Sequence, residues 1–264
     1  MSTSHTIYTT DGPIAVLAFN RPESRNAMTW AMYDALVDAC DAVDADPAIR
    51  VLVLRSTDDR AFVAGTDISQ FRNLRTPEDA LAYEARLDTV ISRLERVTTP
   101  TIAQVGGVAA GGGCLIAVAC DLRICGPDAR FGIPVARTLG NCLSAANCAR
   151  LLDLVGPARL KDLMYTARLL DATEALAAGL ATRVVESDDA TALDRVVTET
   201  ALAIAANAPL TISATKELVR RLQAHRRSPP TVDHDLITAC YTSNDFRGAV
   251  DAFLAKRRPV WTGR

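Results

Sequence analysis

The chain reads as an α/β domain, and three observations carry that reading. Short apolar runs alternate with helix-period segments from residue 14 to about residue 144. One run, Val51-Leu-Val-Leu54, is apolar at every position, as a parallel strand covered on both faces must be. A glycine triplet, Gly111 to Gly113, leads directly into a stretch that carries no charge until Asp121, the pattern of a short helix buried on all sides.

The elements follow in order. Met1 to Asp11 is polar and has no apolar core of the kind a signal peptide needs. Ile14 to Phe19, between Gly12-Pro13 and Asn20-Arg-Pro22, predicts a strand. Thr29 predicts the N-cap of a helix whose inner face is Met32, Leu36, Cys40 and Val43, ended by Asp46-Pro47. After the strand at 51–54, residues Ser56 to Asp67 read as a loop. Thr76-Pro77-Glu78-Asp79 is a strong helix start: a cap, a proline at the first position, then two acids on the positive end of the dipole. Leu87, Val90, Ile91, Leu94 and Val97 supply that helix's buried face.

Thr101 to Val105 and Asp121 to Cys125 predict strands on either side of the glycine segment. From about Ser144 the pattern is mainly helical. Asp171-Ala-Thr-Glu174 is a capping box, Gly179 a stop, and Thr182 to Glu186 one more strand. Residues 190–257 read as successive helices punctuated by Pro209 and Ser228-Pro-Pro230. The predicted division is an α/β core over residues 1–206 and a helical part over 207–264.

Composition narrows the function classes. With 264 residues, 49% apolar and 23% charged, the chain has enough length for a substantial core. A net charge of −2 gives no basic field for nucleic acid or an acidic membrane. The seven cysteines form no C-x-x-C pair and no cluster with His5, His225 or His234, so neither a metal site nor a disulfide framework is expected. No stretch is long enough to span a bilayer. A soluble, cytoplasmic protein is the expectation.

The glycine segment points to chemistry. Glycines let a ligand approach the main chain with no Cβ in the way. A buried helix that starts there leaves its first N–H groups unpaired, and such an end can hold a phosphate or an oxygen that acquires negative charge. A Walker loop is excluded because Gly111 is followed by Gly112 and Gly113, and G-x-G-x-x-G finds no match because Ile116 stands at its last position.

Ala61-Phe-Val-Ala-Gly-Thr-Asp-Ile68, Gly106 to Asp121 and Phe131-Gly-Ile-Pro134 occur together in the order and spacing of the enoyl-CoA hydratase/isomerase, or crotonase, superfamily. Asn20-Arg-Pro22 with Asn26-Ala27, Ala175 to Val185 and Phe253 to Pro259 extend that resemblance over nearly the whole chain. It implies a spiral of ββα units with a C-terminal helical region for trimerisation, and a homotrimer or a hexamer of two trimers. It also implies an acyl-CoA substrate and no permanently bound cofactor. By motif position, the thioester oxygen would be held by the backbone N–H groups of Thr66 and Gly112. Removal of one such donor raises a barrier by about 3–4 kcal/mol. Arg25, Ala27, Ala64, Asp67 and Ile68 would line the path of the coenzyme. Lys256, with Arg257, would reach a coenzyme phosphate or else form a solvated basic helix end.

The sequence departs from the hydratase pattern at two places. The family's two catalytic glutamates fall at Leu115 and Val135, and neither side chain can activate water or protonate a carbon. Ordinary hydration is therefore doubtful. The polar segment that follows offers Arg137 to neutralise a substrate carboxylate, and Asn141 or Ser144 to orient water or donate to an oxygen. Ser144 reads equally well as a helix N-cap, Asn141 as a turn residue, and Cys142 as an apolar filler. Three outcomes stay open: an enolate-forming acyl-CoA enzyme such as a decarboxylase, a non-catalytic acyl-CoA binder, and a hydratase by ancestry with residual activity.

Overall fold

The computed structural model describes residues 5–187, 189, 191–224 and 232–263. His225 and the Ser228-Pro-Pro230 break lie outside the described residues.

The chain opens with β1 (Thr6–Asp11), β2 (Ile14–Phe19), α1 (Trp30–Ala45), β3 (Val51–Ser56), β4 (Ala61–Val63) and α2 (Pro77–Glu95). It continues through β5 (Thr101–Val105), β6 (Val108–Ala110), α3 (Gly112–Ala119), β7 (Leu122–Cys125), β8 (Arg130–Gly132), α4 (Val135–Thr138) and α5 (Ala145–Thr166). It closes with β9 (Leu170–Asp171), α6 (Ala172–Ala177), β10 (Arg183–Val184), α7 (Ala192–Ala205), α8 (Pro209–Ala224), α9 (His234–Tyr241) and α10 (Asn244–Leu254).

The strands sort into two sheets. Six form one sheet in the order β1-β2-β3-β5-β7-β10, and four form a smaller one in the order β4-β6-β8-β9. The large sheet is parallel except at its edge, where β1 pairs antiparallel with β2. Three times in succession one strand enters the large sheet, the next enters the small sheet, and a helix follows: β3-β4-α2, β5-β6-α3, β7-β8-α4. This is the ββα repeat of the predicted spiral.

Side-chain alternation explains why the large sheet is covered twice. Leu52 and Leu54 join the main core with α1, α2 and α3, while Val51 and Val53 join a second cluster with Ile14, Ile102, Ile124, and Val197 and Ala201 of α7. The all-apolar run at 51–54 thus has helices on both faces, as expected. β1 escapes the sequence reading because five of its six residues are exposed at the sheet edge, so no apolar face marks it.

The capping signals hold. The Thr29 hydroxyl accepts from the Met32 amide, and Thr76 with Asp79 and Asp171 with Glu174 form reciprocal capping boxes. Asp121 is an anchor, accepting from the Thr101 amide at 2.7 Å and from Lys216 Nζ at 2.7 Å. α5 is bent at Gly156, where φ is +71°, just ahead of Pro157. No single helix among the described residues is long and apolar enough to cross a membrane. α9 packs on α2, and α10 on the 3-10 turn Ile68–Asn73, so the helical region after residue 206 reaches back over the core.

Candidate active site

Three backbone turns form the floor of a cavity. The first, at 25–28, places Arg25 and Asn26 in the left-handed region at φ +50° and +56°. Asn26 holds it there: wholly buried, it donates from Nδ2 to Ser56 Oγ at 2.7 Å and to the Ala61 carbonyl at 3.0 Å, and accepts from the Arg21 amide at 2.7 Å. The second turn, at 64–67, is laced to the first. Ala64 N donates to the Arg25 carbonyl at 3.0 Å, Met28 N to that of Gly65 at 2.8 Å, and Asp67 N to that of Met28 at 2.9 Å.

The third turn is the glycine segment. Gly65 and Gly111 adopt φ of +128° and +53°, which side-chain-bearing residues avoid. A Cβ on Gly111 would stand 3.6 Å from Gly65 Cα, so the second and third turns are in contact. Gly112 is the first residue of α3 and has no preceding helical turn to donate to. Neither its amide nor that of Thr66 takes part in the turn and loop hydrogen bonds found among the described residues. The Thr66 hydroxyl is fastened between Tyr33 at 2.8 Å and Tyr83 at 3.2 Å, which turns its side chain into the protein.

Above these turns lies a cavity of about 680 Å³. Thr66, Gly112, Leu115, Val135 and Asn141 are in its wall, as are Arg25, Ala27, Ala64, Asp67, Ile68 and Lys256. These eleven positions singled out in the sequence are thereby brought to one place. Asp67 is held by Arg21 Nη1 at 2.6 Å and by Ser69; against burial, which would raise it, those hydrogen bonds keep its carboxyl below the usual value. Lys256 is exposed at the rim, on a left-handed residue that ends α10.

Two candidates fall outside the wall. Arg137 is exposed on α4 and does not line the cavity. Ser144 is the N-cap of α5: its hydroxyl accepts from the Asn147 amide at 3.3 Å and donates to Asp88 Oδ1 at 2.8 Å. The capping reading is the one its geometry matches. Cys142 does line the cavity, with its thiol hydrogen-bonded to Cys240, and that bond together with burial pushes it up.

One group the sequence reading passed over is in the same wall. Glu84, on α2, is 4% exposed. The Tyr241 hydroxyl of α9 donates to its Oε1, and Asn141 Nδ2 donates to the Tyr241 hydroxyl at 3.0 Å. Burial pushes the Glu84 carboxyl up to about 8. The Tyr241 bond and the Ser144 amide oppose that rise, while Asp88 and Asp233 add to it. Rings at 4.8–6.0 Å connect Phe71, Tyr83, Tyr241 and Phe246, so this corner is aromatic and closely packed.

A second cavity, of about 620 Å³, lies between α8 and the end of α3, with Asp121, Arg150 and Lys216 in its wall. Four of its charged groups form two ion pairs, Lys216–Asp121 at 2.7 Å and Arg150–Glu95 at 3.3 Å. Among the described residues no three His, Cys, Asp or Glu side chains are grouped to hold a metal.

Comparison with known proteins agrees with this architecture. Residues 9–264 match the family model described as enoyl-CoA hydratase/isomerase. The chain is 32% identical over 259 residues to a short-chain-enoyl-CoA hydratase of Clostridium acetobutylicum, covering 98% of this chain and 97% of that protein. It is 33% identical over 246 residues to a crotonyl-CoA hydratase of Syntrophomonas wolfei, covering 93% of each. Among solved structures, a methylmalonyl-CoA decarboxylase in complex with 2-nitronate-propionyl-CoA superimposes over 100% of both chains with a TM-score of 0.88 at 28% identity. The two sheets, the ββα order and the glycine-floored cavity define the crotonase class. The chain belongs to the enoyl-CoA hydratase/isomerase family, enzymes of the lyase and isomerase classes that act on coenzyme A thioesters.

Proposed function

We propose that this enzyme binds an acyl-CoA thioester with its carbonyl oxygen between the Thr66 and Gly112 amides and stabilises the enolate that forms there. The observation that carries the reading is the contact between the 64–67 turn and the start of α3, with both amides outside the turn hydrogen bonds. Preformed donors in a cavity shielded from water favour the charged oxygen more than the neutral carbonyl, and that difference is what lowers a barrier. Arg25, Ala27, Ala64, Asp67 and Ile68 would follow the coenzyme along the two laced turns, and Lys256 would meet one of its phosphates. No resident cofactor enters this chemistry.

The test reads the oxygen directly. In the infrared spectrum of bound propionyl-CoA, the thioester carbonyl band is expected at lower frequency than in free propionyl-CoA. A band unmoved on binding would rule out the two-amide grip.

Leu115 and Val135, the positions the family resemblance gives to the two glutamates, line the cavity, so the favoured reaction is one that forms an enolate without them. Decarboxylation of a malonyl-type thioester is such a reaction, since loss of CO₂ itself leaves the electron pair on the α-carbon. The full-length superposition on a methylmalonyl-CoA decarboxylase at a TM-score of 0.88 favours it. Turnover of methylmalonyl-CoA would support it, whereas tight binding without turnover of any thioester would leave the chain a binding protein.

We further propose a cytoplasmic homotrimer, or a hexamer of two trimers, assembled through the helical region after residue 206. On α8 no residue is buried, and Leu210, Leu218, Val219 and Leu222 are 49–82% exposed, more apolar surface than an isolated subunit keeps without a partner. Light scattering is expected to give three or six times the 28.2 kDa chain mass. Leu218→Glu with Leu222→Glu should reduce it to a single chain; an assembly that survives both charges would place the interface elsewhere.

A further inference from the structure

The site as described lacks a group to move protons. Hydratases of this family have two carboxylates, and Leu115 and Val135 supply neither. A buried carboxyl, Glu84, nevertheless stands in the wall, on an element the glycine and proline motifs do not mark.

Glu84 sits where a solvated acid has no reason to be. Its side chain shares the cavity wall with Tyr83, Leu87, Leu115, Cys142 and Tyr241. A carboxyl taken from water into such surroundings is retained only if its hydrogen-bonding capacity is used. Glu84 uses only part of it. Oε1 accepts from Tyr241 and the Ser144 amide also favours the carboxylate, but Oε2 makes no full hydrogen bond, and the Oδ1 of Asn141, which donates to Tyr241 through Nδ2, is likewise buried without one. Two polar atoms without a full hydrogen bond, on residues that line one cavity wall, are groups that a ligand entering the cavity would satisfy.

We propose that Glu84 is a catalytic residue of this cavity and exchanges a proton with the α-carbon of the thioester bound there. The inference rests on the thioester reading above. Tyr241 is its positioning residue: by donating to Oε1 it fixes the carboxyl and leaves Oε2 for the substrate. In the base direction, the Cα–H bond breaks and a new O–H bond forms on Oε2. The electron pair moves into the Cα–C bond, and the carbonyl π pair passes to the oxygen held by the Thr66 and Gly112 amides. In the acid direction, the same proton returns to the α-carbon, including an α-carbon that has just lost CO₂. The carboxyl proton equilibrates with water, so no further reactant is consumed.

Asp88 from α2, Asp233 ahead of α9, Tyr33 from α1, Tyr83 from α2 and Cys142 all face this carboxyl, and none is a cation. The surroundings therefore favour the protonated acid near neutrality and the carboxylate only above about 8.

Propionyl-CoA in D₂O tests the proposal without knowledge of the net reaction. The wild type is expected to place deuterium at the α-carbon, at a rate that rises with pH and levels off above a midpoint of about 8. Glu84→Gln keeps the shape of the side chain and is expected to lower the exchange by at least ~100-fold at every pH while still binding propionyl-CoA. Tyr241→Phe removes a bond that favours the carboxylate and should move the midpoint upward, which a merely structural tyrosine would not do. Exchange in Glu84→Gln equal to the wild type would overturn the inference. So would a wild type that binds the thioester with a shifted carbonyl band yet exchanges nothing. A wild type that leaves the carbonyl band unmoved would instead sink the two-amide reading, and this one with it.

Discussion

Gly113→Ala is expected to unfold the protein or to lower its stability by about 3 kcal/mol or more, read as a collapse of the urea midpoint. A Cβ at that position would stand 2.0 Å from the Val63 carbonyl oxygen and 2.6 Å from the Val63 Cβ. Neither neighbour can yield, because Val63 is the last residue of β4 and its backbone belongs to the small sheet. α3 cannot yield either, since all eight of its residues are buried. The helix axis and the strand are pressed together along a glycine, and that approach brings Gly112 within reach of Thr66. Gly248→Ala in α10 is the control. A Cβ there meets nothing within 4 Å, and a gain of about 0.5–1 kcal/mol is expected from helix propensity alone. A Gly113→Ala protein as stable as the wild type would mean that α3 does not lie against β4 as described.

How much of this could be read from the residues depends on the length over which each signal extends. Helix starts were legible because a cap is local: Thr29, Thr76 and Asp171 each bond within three residues of themselves. β3 was legible because four apolar residues in a row have few other uses. β4, β6 and β8 were not, because three residues hold no period, and their partners, such as Val108 for Ala61 and Arg130 for Val108, lie far along the chain. The site divides in the same way. Resemblance located the turns at 64–67 and 111–113 because a glycine announces a backbone requirement, and Gly65 and Gly111 do adopt positive φ. For Ser144 the local capping reading was available beside the catalytic one, and it is the one the bonds to Asn147 and Asp88 match.

Glu84 was missed, although a signal existed. Ala80, Leu87, Ile91 and Leu94 run down the inner stripe of α2, and Glu84 falls four residues after Ala80 and three before Leu87. A single acid inside an apolar stripe is either an error of assignment or a buried carboxyl with a purpose. Its partner Tyr241 stands 157 positions further on, and no spacing rule connects the two.

On the proposed reading that Leu115 and Val135 stand at the family's two glutamate positions, hydration of crotonyl-CoA should run at least ~10⁴-fold below that of a glutamate-bearing relative assayed alongside, since general acid–base groups are worth ~10²–10⁴ each. Leu115 is 1% exposed and Val135 is 9% exposed, so water has no polar group to orient it from either position. Glu84 does not restore the pair. Addition of water needs a base for the water and an acid for the α-carbon at the same moment, and one carboxyl held protonated near neutrality offers only the second. Placing both acids back gives the sharper test. Leu115→Glu together with Val135→Glu is expected to raise hydration by at least ~100-fold over the wild type, with either change alone giving far less, since acid and base act on one transition state. The double variant should also lose stability, most of it at Leu115, which is 1% exposed, so that a carboxyl placed there must either stay protonated or draw in water. Rapid hydration by the unaltered chain would show that a base reaches the β-carbon from a direction the positions 115 and 135 do not govern. Failure of the double variant, with the fold intact and thioester binding retained, would mean that the acyl group lies along a different wall of the cavity, nearer Glu84 than Leu115.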